Sequence, residues 1–117
     1  MKYEFREINY NEYLEKEMNN APKQYREVKE SHPDRIILLR MGDFYETYCE
    51  DAQTIHEVLG VTITNRIGDN SYRLAGFPYH ALNTYLPKLI RAGKCVGICD
   101  VLEKPKPKTR ITEKVNN

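Results

Sequence analysis

Apolar positions along this chain switch between helical and strand spacing, and the switches divide it into elements. Tyr10, Tyr13, Leu14 and Met18 recur at helical spacing, which predicts an amphipathic helix in the opening segment with its stripe packed in the core. Pro22 followed by KQYREVKE reads as a helix start. His32-Pro33 ends that helix, because the residue before a proline is pushed out of the helical region. IILLR at 36–40 is a short run of strand formers, and FYETYC at 44–49 is a second strand-like run. The Gly-Asp pair between them predicts a tight hairpin.

Side chains alternate faces along a strand, so Phe44, Glu46 and Tyr48 would share one side and Tyr45, Thr47 and Cys49 the other. On a helix, positions i and i+2 would diverge, so the strand assignment is what lets Phe44 and Glu46 act together. Glu50 or Asp51 can cap a helix through AQTIHEVL, closed by Gly60. VTITN is β-branched and strand-like, RIGDNS is turn chemistry, and YRLAGF is a further short strand. Pro78 opens another helical segment, with Tyr85, Leu86, Leu89 and Ile90 as its apolar face, Arg91 in the last turn and Gly93 as its stop. Pro87 sits awkwardly inside that run, and a helix starting near Thr84 would place it in the tolerant first turn. CVGIC is a continuous apolar run, which predicts a central strand covered on both faces. Strands and helices interleave, so the predicted fold is α/β: a mixed β-sheet flanked by helices.

Size and charge narrow the use of such a fold. A chain of 117 residues holds one domain with a modest core. Its 18 basic against 17 acidic side chains give no general attraction to polyanions, so any nucleic-acid affinity must be local. The charge is uneven. Residues 1–20 carry Glu4, Glu7, Glu12, Glu15 and Glu17 against Lys2, Arg6 and Lys16, whereas the tail holds Lys104, Lys106, Lys108, Arg110 and Lys114 against Glu113. The Lys-Pro alternation in that tail favours an extended strip, suited to a phosphate backbone or, more plainly, to a solvated linker. Cys49, Cys95 and Cys99 are an odd number, no apolar leader is visible and no run reaches membrane-spanning length. The expectation is a reduced, cytoplasmic protein with no membrane contact.

Catalytic chemistry finds little support. Asp43, Glu46, Glu50 and Asp51 have the composition of a divalent-metal site, but Asp43 is needed in the turn and Glu50 or Asp51 in a cap, which leaves only Glu46 directed from a strand face. His32, His56 and His80 show no ligand spacing with Cys95 and Cys99, which read instead as small core hydrophobes. No phosphate-cradling G-x-x-x-x-G-K-[ST] run occurs, and His80 suits packing or capping better than proton transfer. No enzyme activity, catalytic residue, metal or cofactor is expected.

RMGDFYETYCEDA and LAGFPYHALNTYLPKLIRAGKCVGICDVLE, with APKQYREVKESHPD ahead of them and TITNR at 62–66, together resemble the N-terminal mismatch-recognition domain of the MutS family of DNA mismatch repair proteins. The resemblance runs from about Ala21 to Val115, so residues 21–115 read as a MutS domain I-like mismatch-recognition domain and residues 1–20 as an N-terminal extension with a helical pattern. It implies an F-x-E motif entering the minor groove at a mispair, Phe44 stacking as a wedge and Glu46 hydrogen-bonding the mispaired base. Tyr45 would then anchor the strand from the core, and Arg66 of TITNR would lie near DNA. The family's connector, lever, clamp and ATPase domains have no counterpart here, so no ATP cycle is expected.

Magnitudes set what such a domain could do alone. Stacking a base on an aromatic ring returns about 1–3 kcal/mol, against an unstacking cost of about a few kcal/mol that is least at a mispair. The wedge breaks even, and affinity must come from phosphate contacts. The first expectation is therefore a mismatch- or distortion-binding module whose partner is double-stranded DNA with a mispair or small loop, bound weakly by the chain alone. The alternative is a protein-interaction or regulatory module, working by self-association or with a full repair protein or split partner. An exposed Phe44 beside a buried Tyr45 would favour the first, and an exposed stripe at Tyr10, Tyr13, Leu14 and Met18 the second.

Overall fold

A computed structural model describes residues 1–66, 68 and 70–101. Its elements are helices α1 (Tyr10–Asn20) and α2 (Lys23–Ser31), strands β1 (Ile36–Met41) and β2 (Phe44–Tyr48), helix α3 (Cys49–Leu59), strands β3 (Ile63–Asn65) and β4 (Arg73–Pro78), a 3-10 turn at Tyr79–Ala81, helix α4 (Leu82–Arg91) and strand β5 (Val96–Cys99). The five strands form one sheet in the order β3-β4-β2-β1-β5. All neighbours are antiparallel except β1 and β5, so the sheet is mixed and the α/β assignment stands.

The β1–β2 hairpin forms where Gly42 and Asp43 predicted it, with Met41 opposite Phe44. Gly42 has φ +61°, a value that glycine adopts without strain, and it is the first of the two turn residues, as a type II′ turn requires. β1 is the most fully covered strand: Ile36, Ile37, Leu38 and Leu39 are all buried, because helices pack on both sides of it. One face carries Ile36, Leu38, Tyr45, Ala75 and Phe77 against Ala52 and Ile55 of α3 and Leu89 of α4. The other carries Ile37, Leu39 and Tyr48 against Ala21 and Tyr25, with Met18 and Leu74 packed beside them.

Several expectations are corrected. CVGIC is an edge strand, since α4 carries the chain to the free side of β1, whose other side already pairs with β2. Its residues are accordingly half-exposed, and Cys95, just before it, is exposed rather than a core hydrophobe. Cys99 does pack against the second core face. Cys49 is not on the strand with Thr47 but begins α3 with φ +59°, fully buried, and burial pushes its thiol up to about 12. Neither Glu50 nor Asp51 caps that helix, whose N-cap is Tyr48 without a side-chain bond, while Gly60 closes it at φ +78° as expected. α4 starts at Leu82, earlier than the Thr84 start, so Pro87 lies beyond the first turn and Asn83 loses its helical N–H donor. His80 is exposed with its ring edge-on to Tyr79, and it neither packs nor caps.

Asp51 instead ties three elements together. Its Oδ2 accepts from the Tyr25 hydroxyl of α2 at 2.7 Å and from the Ile37 N–H of β1 at 3.2 Å, and its Oδ1 accepts from Lys29 Nζ at 3.0 Å. The opening helix is anchored just as closely. Glu17 of α1, only 4% exposed, accepts from the Arg73 N–H, Nε and Nη2 at 2.9, 2.8 and 2.8 Å. Arg73 also donates to Glu50 Oε1 at 3.0 Å. The apolar stripe of α1 is divided: Met18 reaches the core, whereas Tyr10 and Tyr13 are exposed.

Candidate nucleic-acid interface

Register arranges one sheet face in three rows, because directly opposed residues of antiparallel strands point to the same side. Ile37, Tyr48 and Leu74 make the first row, Ile37 and Tyr48 buried against Ala21 and Tyr25 and Leu74 partly buried beside them. Leu39, Glu46 and Gly76 make the second, and Met41, Phe44 and Pro78 the third. Cover thins along the series: Tyr48 is 1% exposed, Leu39 9%, Met41 42% and Phe44 45%. The helices shield the far end of this face and leave the hairpin end bare.

Phe44 therefore stands on an open apolar platform between Met41 and Pro78, while Tyr45 beside it is buried and turned to the opposite face. The Tyr45 hydroxyl donates to Asp100 Oδ1 at 2.6 Å, which fastens the hairpin strand to the end of β5. Glu46, half-exposed, lies one row in from Phe44 on the same face, and its Oε1 accepts from the Tyr48 hydroxyl at 2.7 Å. Gly76 opposite it carries no side chain, and none would fit: a Cβ there would stand 2.5 Å from the Tyr45 carbonyl oxygen and 3.3 Å from Glu46 Cγ.

A cation sits at the same hairpin on the reverse face, where Arg40 is paired opposite Tyr45 and lies 5.9 Å from its ring. The Arg40 guanidinium lies 3.9 Å from the Tyr79 ring centroid, and its Nε donates to the Gly42 carbonyl at 2.6 Å. Both residues belong to the quoted RMGDFYETYCEDA and GFPYHAL runs, but nothing local in the sequence said that a hairpin and a 3-10 turn would bring them together. Tyr79 is held there by its N–H, which donates to the Asp43 carbonyl at 2.8 Å.

Arg66 is placed elsewhere. It is exposed beyond β3, its N–H donates to the Tyr72 carbonyl, and its guanidinium lies 5.7 Å from the Tyr72 ring. Tyr72 and Pro78 bound opposite ends of β4, so the rise of a strand separates Arg66 from Phe44 by about 20 Å. Phe44 and Glu46 are brought together, and Arg66 is not. The four carboxylates Asp43, Glu46, Glu50 and Asp51 are also dispersed, and among the described residues no group of three or more His, Cys, Asp or Glu could hold a metal ion. The basic strip of residues 104–114 lies outside the described residues. No described helix is long and apolar enough to cross a membrane.

A mixed sheet with one face bare at its hairpin presents an aromatic ring and a carboxylate side by side. The chain belongs to the MutS domain I family, which matches residues 20–117; this domain is the mismatch-recognition domain of MutS. It is similar to the DNA mismatch repair protein MutS of Phocaeicola vulgatus, with 55% identity over 94 residues, covering 79% of this chain and 11% of the relative. The MutS of Porphyromonas gingivalis is 58% identical over 86 residues, covering 72% and 10%, and that of Flavobacterium psychrophilum 48% identical over 103 residues, covering 85% and 12%. The chain thus spans about a tenth of the length of these relatives.

Proposed function

We propose that this domain binds double-stranded DNA at mispairs and small unpaired loops, with Phe44 as a wedge in the minor groove and Glu46 as the reader of the displaced base. The observation that carries this reading is the 45% exposure of Phe44 on an unshielded platform next to a Tyr45 that is 4% exposed. Phe44 and Met41, exposed side by side, make an apolar patch of the kind that marks an interaction site. A ring pushed between base steps must unstack them, and a mispair has less stacking to lose, so the energetic difference between defect and duplex is itself the recognition. Glu46 beside phosphates would be repelled unless a base donor meets it. With a net charge of only +1 the chain has few cations to meet phosphates, so binding by the chain alone is weak. Arg66, some distance along the sheet, would touch only a duplex that runs along this face.

Fluorescence anisotropy at low salt tests this, comparing a duplex with a G·T mispair or one unpaired thymine against its perfect homoduplex. Tighter binding to the defect, lost in Phe44→Ala, is the expected result; equal binding to both duplexes by the wild type would sink the reading.

A second reading rests on a different surface. Tyr3, Phe5, Tyr10 and Tyr13 are 87, 86, 62 and 51% exposed, an apolar series on the N-terminal segment that suits an interaction or regulatory module. Sedimentation equilibrium separates the two: concentration-dependent self-association abolished by Tyr10→Ser/Tyr13→Ser, with no preference for defective DNA, would favour it.

A further inference from the structure

The register leaves Glu46 with one side-chain partner. Its neighbours across the sheet are Leu39 and Gly76, neither of which offers a polar side-chain atom, and Phe44 beside it on the strand offers none either. Two residues along on the same face, the Tyr48 hydroxyl meets Glu46 Oε1 at 2.7 Å, and among the described residues no other side chain hydrogen-bonds this carboxylate. Tyr48 is rigidly placed for the task. It is 1% exposed, its ring packs edge-on against Tyr25 and Tyr72 with centroids at 5.1 and 5.9 Å, and its carbonyl accepts from the Tyr25 hydroxyl at 3.1 Å. Burial, then the hydrogen bond to Glu46, raise the Tyr48 phenol well above its ordinary range, so it remains the donor throughout the neutral region.

We propose that Tyr48 is a positioning residue for Glu46: its hydroxyl fixes Oε1 so that Oε2 is the atom offered to the displaced base. This rests on the DNA-reading role given to Glu46 above. Glutamate has three rotatable side-chain bonds, and holding one oxygen in advance lowers the entropy lost when the other engages a base. With Oε1 held by the Tyr48 hydroxyl, Oε2 is the oxygen left to accept from a base N–H.

Tyr48→Phe tests this, since it keeps the ring and both aromatic contacts and removes only the hydroxyl. A near-UV circular dichroism spectrum checks that the variant folds. Anisotropy is then measured for wild type, Tyr48→Phe, Glu46→Ala and the double variant, each with the mispaired duplex and the homoduplex. Tyr48→Phe should lower the preference for the mispair by roughly three- to tenfold, leave homoduplex affinity unchanged, and have no effect in the Glu46→Ala background. An equal loss in both backgrounds, or an unchanged preference, overturns the assignment. A DNA-free measurement separates this from failure of the DNA reading: the NMR order parameter of the Glu46 side-chain methylenes should fall in Tyr48→Phe. An unchanged order parameter overturns the positioning role even if DNA preference proves absent in the wild type.

Discussion

Two ends of one sheet face behave oppositely. At the covered end, Ile37 and Tyr48 are buried against Ala21 and Tyr25 with Leu74 beside them, and the charged groups nearby are buried and over-determined: Asp51 accepts three bonds and Glu17 three more from a single arginine. At the bare end, Met41 and Phe44 face water and Glu46 has a single partner. The covered end holds the fold together by multiplying partners for each buried charge, since an unpaired one is costly. The bare end keeps its groups undersupplied, and so available to a ligand. Phe44 can stand exposed because its strand is anchored from the reverse face, through Tyr45 and Phe77.

The sharpest way to break that contrast is at the covered end. Asp51→Ala leaves the Ile37 N–H without its acceptor and takes one acceptor each from Lys29 and the Tyr25 hydroxyl, and should cost about 3–5 kcal/mol, read as a large drop in the urea midpoint. Arg73→Ala strands Glu17 and should cost about 3 kcal/mol, the lower end because the arginine is partly solvated. The same pair predicts a pH effect. Burial raises the Glu17 carboxyl, but the hydrogen bonds and charge of Arg73 outweigh it and hold the group below its usual 4.5. A depressed folded value means that the unfolded chain takes up this proton first, so the stabilisation is fully present above pH 4.5 and is lost as pH falls through the depressed value. Glu17→Gln should flatten that part of the stability–pH curve.

Substitution at the boundary between the two ends should have an intermediate effect. Gly76→Ala forces a Cβ against the Tyr45 carbonyl and should cost about 1–3 kcal/mol, displacing Glu46 and lowering mispair preference along with stability. Phe44→Ala is the smallest in stability and the most telling for function: within about 0.5 kcal/mol of wild type in denaturation, yet without preference for a mispaired duplex. A large destabilisation by Phe44→Ala would show that the ring is structural after all.

Much of the site was legible in the primary structure because strand alternation is a local rule. Once IILLR, Gly-Asp and FYETY are read as a hairpin, Phe44 and Glu46 must share a face and Tyr45 must oppose them, and the resemblance to MutS domain I then attaches a role to the pair. Helix ends were legible where chemistry is local too, as at Pro22, His32 and Gly60. Errors fell where the answer depends on a distant partner. Asp51 has the composition of a cap but is claimed by Tyr25 and Ile37, and CVGIC has the hydrophobicity of a central strand but is delivered to an edge by α4. Gly76 resembles any strand glycine until the register sets it against Glu46.

The sequence by itself determined the hairpin, the alternation that sets Phe44 and Glu46 on one face, and the helix punctuation, all of which follow from steric and periodic rules acting over a few neighbouring residues, and its motifs carried the family. Only the tertiary structure decided which row of the sheet is left bare, that Arg40 meets Tyr79, that Arg66 stands far from Phe44, and that α1 is bound through Glu17 to Arg73. Those outcomes depend on contacts between residues tens of positions apart, and the free energy of such contacts exists only once the chain has closed around them.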